Sequence, residues 1–374
     1  MRGCTCVLRP SAASISCDTC LLEARNTGAK VSQMSCTRRK ARLILVAVLA
    51  AAMVASGCSS NAGEEKEEGT SRMETAVSPA TWPSGVWLGG AGKTRKVNAF
   101  GAWRGTEVGA VTAYPAYATW REMETSNWHV ASFNGFEGRL AYGLPLLADE
   151  GGTLQEVAAG KHDGTWRAVA RTLLRYDRGD SFVRVGLEAN GTWFRWGATA
   201  ETADDFKAAY RHVVKVMRQT APELEFVFDI SCSVALEGSE NDRLASLTKL
   251  YPGDDVVDVV GCDHYDSWSA IARSEKEWED TIKPDSGPGL TDVVKFAREH
   301  DKQFAVPEWG LSSKSAEGAG DNPFFIKKMY QFFYNHRDVL AFENYFDEPD
   351  PYLGSSLFLE PQNPKSAAAY RELW

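Results

Sequence analysis

No stretch of the 374-residue sequence is apolar for long enough to cross a bilayer. The longest uninterrupted apolar run, Leu43–Ala55, has 13 residues, against about 20 for a spanning helix. Cysteine is scarce past residue 57, where only Cys58, Cys232 and Cys262 of the eight remain, so a disulfide-built scaffold is excluded. Basic residues are in deficit: 41 Lys and Arg against 50 Asp and Glu give a net charge of −9. Setting residues 1–57 aside removes eight Lys/Arg and two Asp/Glu and takes the charge to −15. Such a surface repels phosphate backbones, which excludes nucleic acid as a partner. No GxGxxG or P-loop pattern follows an early strand, which weighs against a doubly wound nucleotide-binding sheet.

The short apolar run has the character of an export signal. Arg38, Arg39, Lys40 and Arg42 precede it, and Val54-Ala55-Ser56-Gly57-Cys58 follows. A basic cluster, a run of this length and small residues before a cysteine resemble a bacterial lipoprotein signal. The expectation is therefore a leader over 1–57 that is removed and a lipidated Cys58 that anchors the chain outside the cytoplasm. An ordinary secretory signal is the alternative. Cys4, Cys6, Cys17 and Cys20 have a spacing suggestive of metal or redox chemistry, but they lie upstream of the signal. Residues 59–80 are polar and charged, with little to bury, so 58–81 reads as lipidated cysteine plus flexible linker.

From Trp82 onward one pattern continues to the end, which suggests a single domain over 82–374. Short apolar strands are expected at 85–89, 108–113, 139–144, 182–187, 224–230, 256–262, 303–307 and 340–344. Amphipathic helices are expected at 165–176, 202–219, 241–250, 291–299 and 323–335. In the second of these, Phe206, Ala209, Tyr210, Val213, Val214 and Met217 share one face at helical spacing. Eight strands alternating with helices over about 290 residues fit an α/β fold of the (β/α)8 TIM-barrel type.

Such a barrel carries its chemistry at the C-terminal ends of its strands. Two of the expected strands end in glutamate. Phe182–Gly197 reads FVRVGLEANGTWFRWG and delivers Glu188, with Asn190, Trp193 and Trp196 in the loop behind it. Lys302–Leu311 reads KQFAVPEWGL and delivers Glu308, followed by Trp309. By position these are strands four and seven, which face each other across the mouth. A carboxylic acid opposite a carboxylate is the equipment for breaking a glycosidic bond. Between them Val256–Trp268 (VVDVVGCDHYDSW) brings Asp263, His264, Tyr265 and Asp266 to the rim. A phenol there can orient a nucleophilic carboxylate. Trp87, Tyr114, Trp268 and Tyr345 are candidate sugar-lining aromatics, Trp268 and Tyr345 foremost. Cys232 and Cys262 follow neighbouring strands, so a disulfide between them is one reading and two free thiols the other.

At these segments the sequence resembles glycoside hydrolase family 26, a clan A family that includes β-mannanases. The carriers are Arg184-x-x-x-Glu188-x-Asn190-Gly191-x-Trp193-Phe194-x-Trp196-Gly197 with Phe206 and Tyr210–Val213, then Asp258–Tyr265, then Pro307–Gly310. The resemblance implies Glu188 as acid/base, Glu308 as nucleophile and Tyr265 as its orienting partner. Arg184, Asn190, Trp193, Trp196, Asp263, Trp268, Trp309 and Tyr345 are expected to bind substrate. Two departures stand out: Leu187 occupies the place where the family's mannanases usually have His, and Trp309 is bulkier than expected.

The implied activity is retaining, endo-β-mannanase-like hydrolysis of a β-linked polysaccharide. The alternative is a lipid-anchored carbohydrate-binding protein on a barrel that has lost catalysis. No cofactor or metal is expected, and the protein is expected to act as a monomer.

Overall fold

The computed structural model describes residues 82–374 apart from Ala91. The leader over 1–57, Cys58 and the linker to residue 81 lie outside the described residues.

Eight parallel strands close into a barrel in chain order: β1 (Ser84–Trp87), β2 (Ala110–Ala113), β3 (Arg139–Leu144), β4 (Phe182–Val185), β5 (Glu225–Ser231), β6 (Val259–Asp266), β7 (Gln303–Leu311) and β8 (Leu340–Phe346). β8 returns to β1 in a register running from Ser84 opposite Glu343 to Trp87 opposite Phe346. Closure leaves no unpaired edge strand. A small cluster of Ala110, Ala141, Phe182, Val227, Val259, Ala305, Ala341 and Phe342 stands apart from the main core. Phe182 and Phe342 stack there with ring centroids 4.4 Å apart. Its two phenylalanines are set among alanines and valines, a mixture of sizes that fills the narrow interior of an eight-stranded barrel.

The main core lies between strands and helices. Helix Ala203–Thr220 buries Phe206, Ala209, Tyr210, Val213, Val214, Val216 and Met217, the face expected from the sequence. Helices Asp163–Arg175, Leu290–Glu299 and Pro323–Asn335 also fall within two residues of expectation. The expected helix at 241–250 shrinks to Ala245–Thr248. Its first residues turn instead: the Leu244 amide donates to the Asp242 side chain, and such local bonds compete with helix formation.

The strand ends matter most for the site. β6 and β7 each run four residues further than the apolar pattern suggested. Register shifts between Gly261 and His264, and between Val306 and Trp309, let pairing continue past the bends. Asp263, His264, Tyr265 and Glu308 therefore sit on strands and not in the loops behind them. β4 is shorter than expected and stops at Val185. Gly186 follows at φ 58°, a conformation that suits glycine. A Cβ there would also meet Leu146 Cδ1 at 2.7 Å. Cys232 and Cys262 form a disulfide across 30 residues, which settles the pairing left open by the sequence and ties the end of β5 to β6.

Candidate active site

Glu308 is the hub of the mouth. It projects inward from β7, and its carboxylate is held by three donors. Arg184 Nη1 donates to Oε1 at 2.7 Å, and the Tyr114 hydroxyl donates to the same oxygen. The Tyr265 hydroxyl donates to Oε2 at 3.0 Å.

Arg184 reaches Glu308 from β4 and is itself locked. Its Nη2 donates to Asp229 Oδ2 on β5 at 2.5 Å and to Asp263 Oδ2 on β6 at 2.6 Å. The guanidinium is fully buried. Burial works against its charge, but Asp229, Asp263 and Glu308 outweigh that cost and hold its pKa above the ordinary arginine range. One cation thus faces three carboxyl groups. Burial raises the Asp229 and Asp263 pKa values against the pull of Arg184, and Oδ1 of each is buried without a hydrogen-bond partner. Arg184 is a rigid fork whose donors are committed to this cluster.

Glu188 lies three residues past the end of β4 with φ 47°, a left-handed conformation uncommon for a residue with a side chain. Its loop is pinned by Ala189 N donating to Asp229 O at 3.0 Å and Gly191 N to Glu188 O at 2.7 Å. Burial, and next the charge of Glu308, push its pKa up to about 8, while the hydrogen bond from Trp193 Nε1 at 2.9 Å pulls the other way. One glutamate is therefore held as an acid at neutral pH, and the other is surrounded by donors suited to an anion. Environments that separate two carboxyl groups in this way define acid and base roles.

Aromatic side chains lie at the C-terminal strand ends. Trp193 and Trp268 are about half exposed. Trp268, at φ 51°, neighbours exposed Tyr352 with centroids 6.5 Å apart. At the end of β1, Trp87 meets Tyr114 edge-on at 4.9 Å and stacks on Phe346 at 5.8 Å. Indole and phenol faces are suited to the apolar faces of sugar rings. Among the described residues no group of three or more His, Cys, Asp or Glu is placed to hold a metal ion.

Several expected substrate contacts are corrected by burial. Asn190 is a loop clip: its side-chain amide donates to Ser231 O and Val234 O and accepts from Ser231 N. Trp196 is core, stacked on Phe194 at 4.5 Å and donating to Leu187 O. Trp309 alternates with Glu308 and so points outward, into a shell of Phe333, Tyr370 and Trp374, with its indole N–H on Glu343. Tyr345 is fully buried, and its hydroxyl donates to Ser355 O at 2.6 Å. Arg184 and Asp263 belong to the site but lie beneath it and hold Glu308 instead of facing the cleft. His264 and Asp266, expected at the rim, also point away. The His264 ring packs on Phe325 at 5.8 Å, and burial takes its pKa down to about 3. Asp266 anchors Asn322 and the Ala272 amide.

Two members of the site were passed over in the sequence. Asp229 is a charge in the buried middle of the strand EFVFDIS, whose other charge, Glu225, sits at its half-buried start. Tyr114 was noted only as a lining aromatic, although it follows β2 directly.

Chains similar to this one are found among glycoside hydrolases. Residues 174–299 match Glycosyl hydrolase family 26. The mannan endo-1,4-beta-mannosidase of Bifidobacterium adolescentis is 33% identical over 180 residues, 44% of this chain and 17% of that protein. The beta-1,3-xylanase TXYA of a Vibrio species is 26% identical over 157 residues, 42% of this chain and 29% of that protein. The chain thus spans less than a third of the length of these curated relatives. Among solved structures, an endo-beta-1,4-mannanase of Cellulomonas fimi superposes with a TM-score of 0.57 at 18% identity, covering 78% of this chain and 70% of that one. The catalytic domain of a Bacillus sp. JAMB-750 endo-beta-1,4-mannanase gives 0.55 at 17% identity, covering 78% and 85%. At that identity the likeness establishes the fold.

Proposed function

We propose that this barrel is a retaining glycoside hydrolase that cleaves a β-linked polysaccharide, with Glu308 as nucleophile and Glu188 as acid/base. The observation that carries the reading is the opposed environment of the two glutamates. Glu188 is pushed up to about 8 by burial and the nearby Glu308 charge, while Glu308 accepts from Arg184, Tyr114 and Tyr265. In the first step Glu308 attacks the anomeric carbon as Glu188 protonates the departing oxygen. In the second, water gives its proton to Glu188 and displaces the sugar from Glu308. The matches to a mannosidase and a β-1,3-xylanase favour mannan or a related β-glycan. Leu187, buried behind the site, removes the polar contact that the family's mannanases usually have there and argues for a β-glycan other than plain mannan.

The test is reducing-end release from mannan, β-1,3- and β-1,4-xylan and β-glucans, with the product anomer read by NMR. Turnover with a β-anomer as first product supports the reading. An α-anomer, or full activity in Glu308→Ala, removes it. Binding of a glycan without turnover would return the protein to the carbohydrate-binding alternative.

The location belongs to the same proposal. A lipid on Cys58 and an acidic linker would tether the barrel outside the cell, next to polymer substrate. Metabolic labelling with a tagged fatty acid checks it: label should follow the wild-type chain and be absent from Cys58→Ala.

A further inference from the structure

The three donors on Glu308 are not shared equally between its oxygens. Oε1 accepts two hydrogen bonds, from Arg184 Nη1 at 2.7 Å and from Tyr114. Oε2 accepts one, from Tyr265 at 3.0 Å. A carboxylate oxygen has two lone-pair sites, so Oε1 is filled and only Oε2 keeps an electron pair free to attack. The Tyr114 hydroxyl also accepts from Arg184 Nη1 at 3.3 Å, which closes a triangle on Oε1.

The Tyr114 ring is built into this place. Gly143 on β3 leaves the room for it: a Cβ there would stand 2.5 Å from Tyr114 Cε1. Trp87 closes the other side edge-on at 4.9 Å. Burial, and next the Glu308 charge, raise the phenol pKa well above its ordinary value, so the hydroxyl keeps its proton and stays a donor throughout the neutral range.

We infer that Tyr114 is a positioning residue that, together with Arg184, clamps Oε1 of Glu308, directs attack through Oε2 and speeds release of the sugar from the enzyme. This rests on the retaining reading above. When Oε2 bonds to the anomeric carbon, the glycosidic bond breaks and its electron pair leaves with the departing oxygen, which takes the Glu188 proton. Oε1 is then the carbonyl oxygen of an ester. When water attacks the anomeric carbon, the carbon–Oε2 bond breaks and its pair returns to the carboxylate. Negative charge reappears on both oxygens, and the donors on Oε1 stabilise it. The clamp therefore slightly weakens Glu308 as an attacking group and markedly improves it as a leaving group.

The experiment is steady-state and rapid-mixing kinetics on 2,4-dinitrophenyl β-mannobioside and 2,4-dinitrophenyl β-1,3-xylobioside, using whichever the wild type hydrolyses. The activated aryl group leaves easily, so kcat reports the second step and kcat/KM the first. Losing a hydrogen bond to a charged oxygen predicts a fall of about tenfold in kcat for Tyr114→Phe. KM should fall in parallel, with kcat/KM nearly unchanged and a burst of dinitrophenol equal to the enzyme concentration. Gly143→Ala, whose methyl group displaces the same ring, should reproduce the pattern without touching the phenol chemically.

A loss of kcat in Tyr114→Phe with KM unchanged or raised would overturn the inference, as would wild-type kinetics in both Tyr114→Phe and Gly143→Ala. If the wild type releases an α-anomer as first product, or Glu308→Ala remains active, the retaining reading itself fails and carries this inference down with it. The two failures are thus separate observations.

Discussion

The Trp193 indole N–H lies 2.9 Å from Glu188 Oε2 and favours the ionised form of a carboxyl that burial and Glu308 otherwise hold protonated. Glu188 is thus tuned from two sides, and the indole is the adjustable one. Trp193→Phe removes the donor and keeps an aromatic ring. The alkaline limb of kcat/KM, expected near pH 8 in the wild type, should move up by about one unit, since one pKa unit is about 1.4 kcal/mol. A pH–rate profile measures it, and a limb that stays or moves down contradicts the assigned direction.

Glu188 also bears on stability. Its pKa is raised in the folded state, so between its unfolded value and about 8 the native protein holds a proton that the unfolded chain has released. Stability from this group is highest at acid pH and is lost as the pH rises through that window. Glu188→Gln removes the titration. Its Tm should exceed that of the wild type by about 2 °C or more at pH 9, and the difference should shrink toward pH 5. Calorimetry at the two pH values decides it.

Arg184 has no tolerable substitute. Truncation to Ala leaves Asp229 and Asp263 facing each other and Glu308 without an ion pair, and breaking a buried pair costs about 3–5 kcal/mol. Lysine keeps one charge but cannot supply the fork. Both variants should lose turnover, and Arg184→Ala should also lose several degrees in Tm. An Arg184→Lys protein with near-native kcat would show that the fork geometry is unimportant.

The Cys232–Cys262 disulfide ties the loop that carries Asn190's backbone partners to the strand that carries Asp263 and Tyr265. Replacing both cysteines by Ser should cost about 2–4 kcal/mol. A reductant should lower the wild-type Tm toward that of the double variant and leave the variant itself unchanged. Equal reductant effects on both proteins would mean that the bridge is not what the reagent attacks.

The barrel was legible in the sequence because each strand–helix unit is patterned locally, and the two glutamates were legible because barrel strands present their ends to one mouth. Side-chain direction was harder. Strand alternation alone would have sent Trp309 outward once Glu308 was placed inward, and the same rule applies to Tyr345 between Asn344 and Phe346. Their aromatic character suggested sugar contacts that burial excludes, and the aromatic of β8 that reaches Trp87 is Phe346. The bulges that extend β6 and β7 have no simple signature, so Asp263 and Tyr265 were expected in a loop. Two short helices, by contrast, were announced and passed over. Thr119 with Glu122, and Thr153 with Glu156, are capping boxes that open Trp120–Thr125 and Leu154–Ala158, a pattern readable without coordinates.

The backbone at Glu188, at φ 47°, has a consequence for how such a protein changes over generations. Glycine and asparagine occupy that conformation more comfortably than glutamate does. Replacing Glu188 with either should yield a sturdier barrel than Gln at the same position, and an inert one. Under the proposed function, where selection for turnover lapses, drift at this codon would run downhill in free energy toward folded, silent descendants that keep the exposed tryptophans.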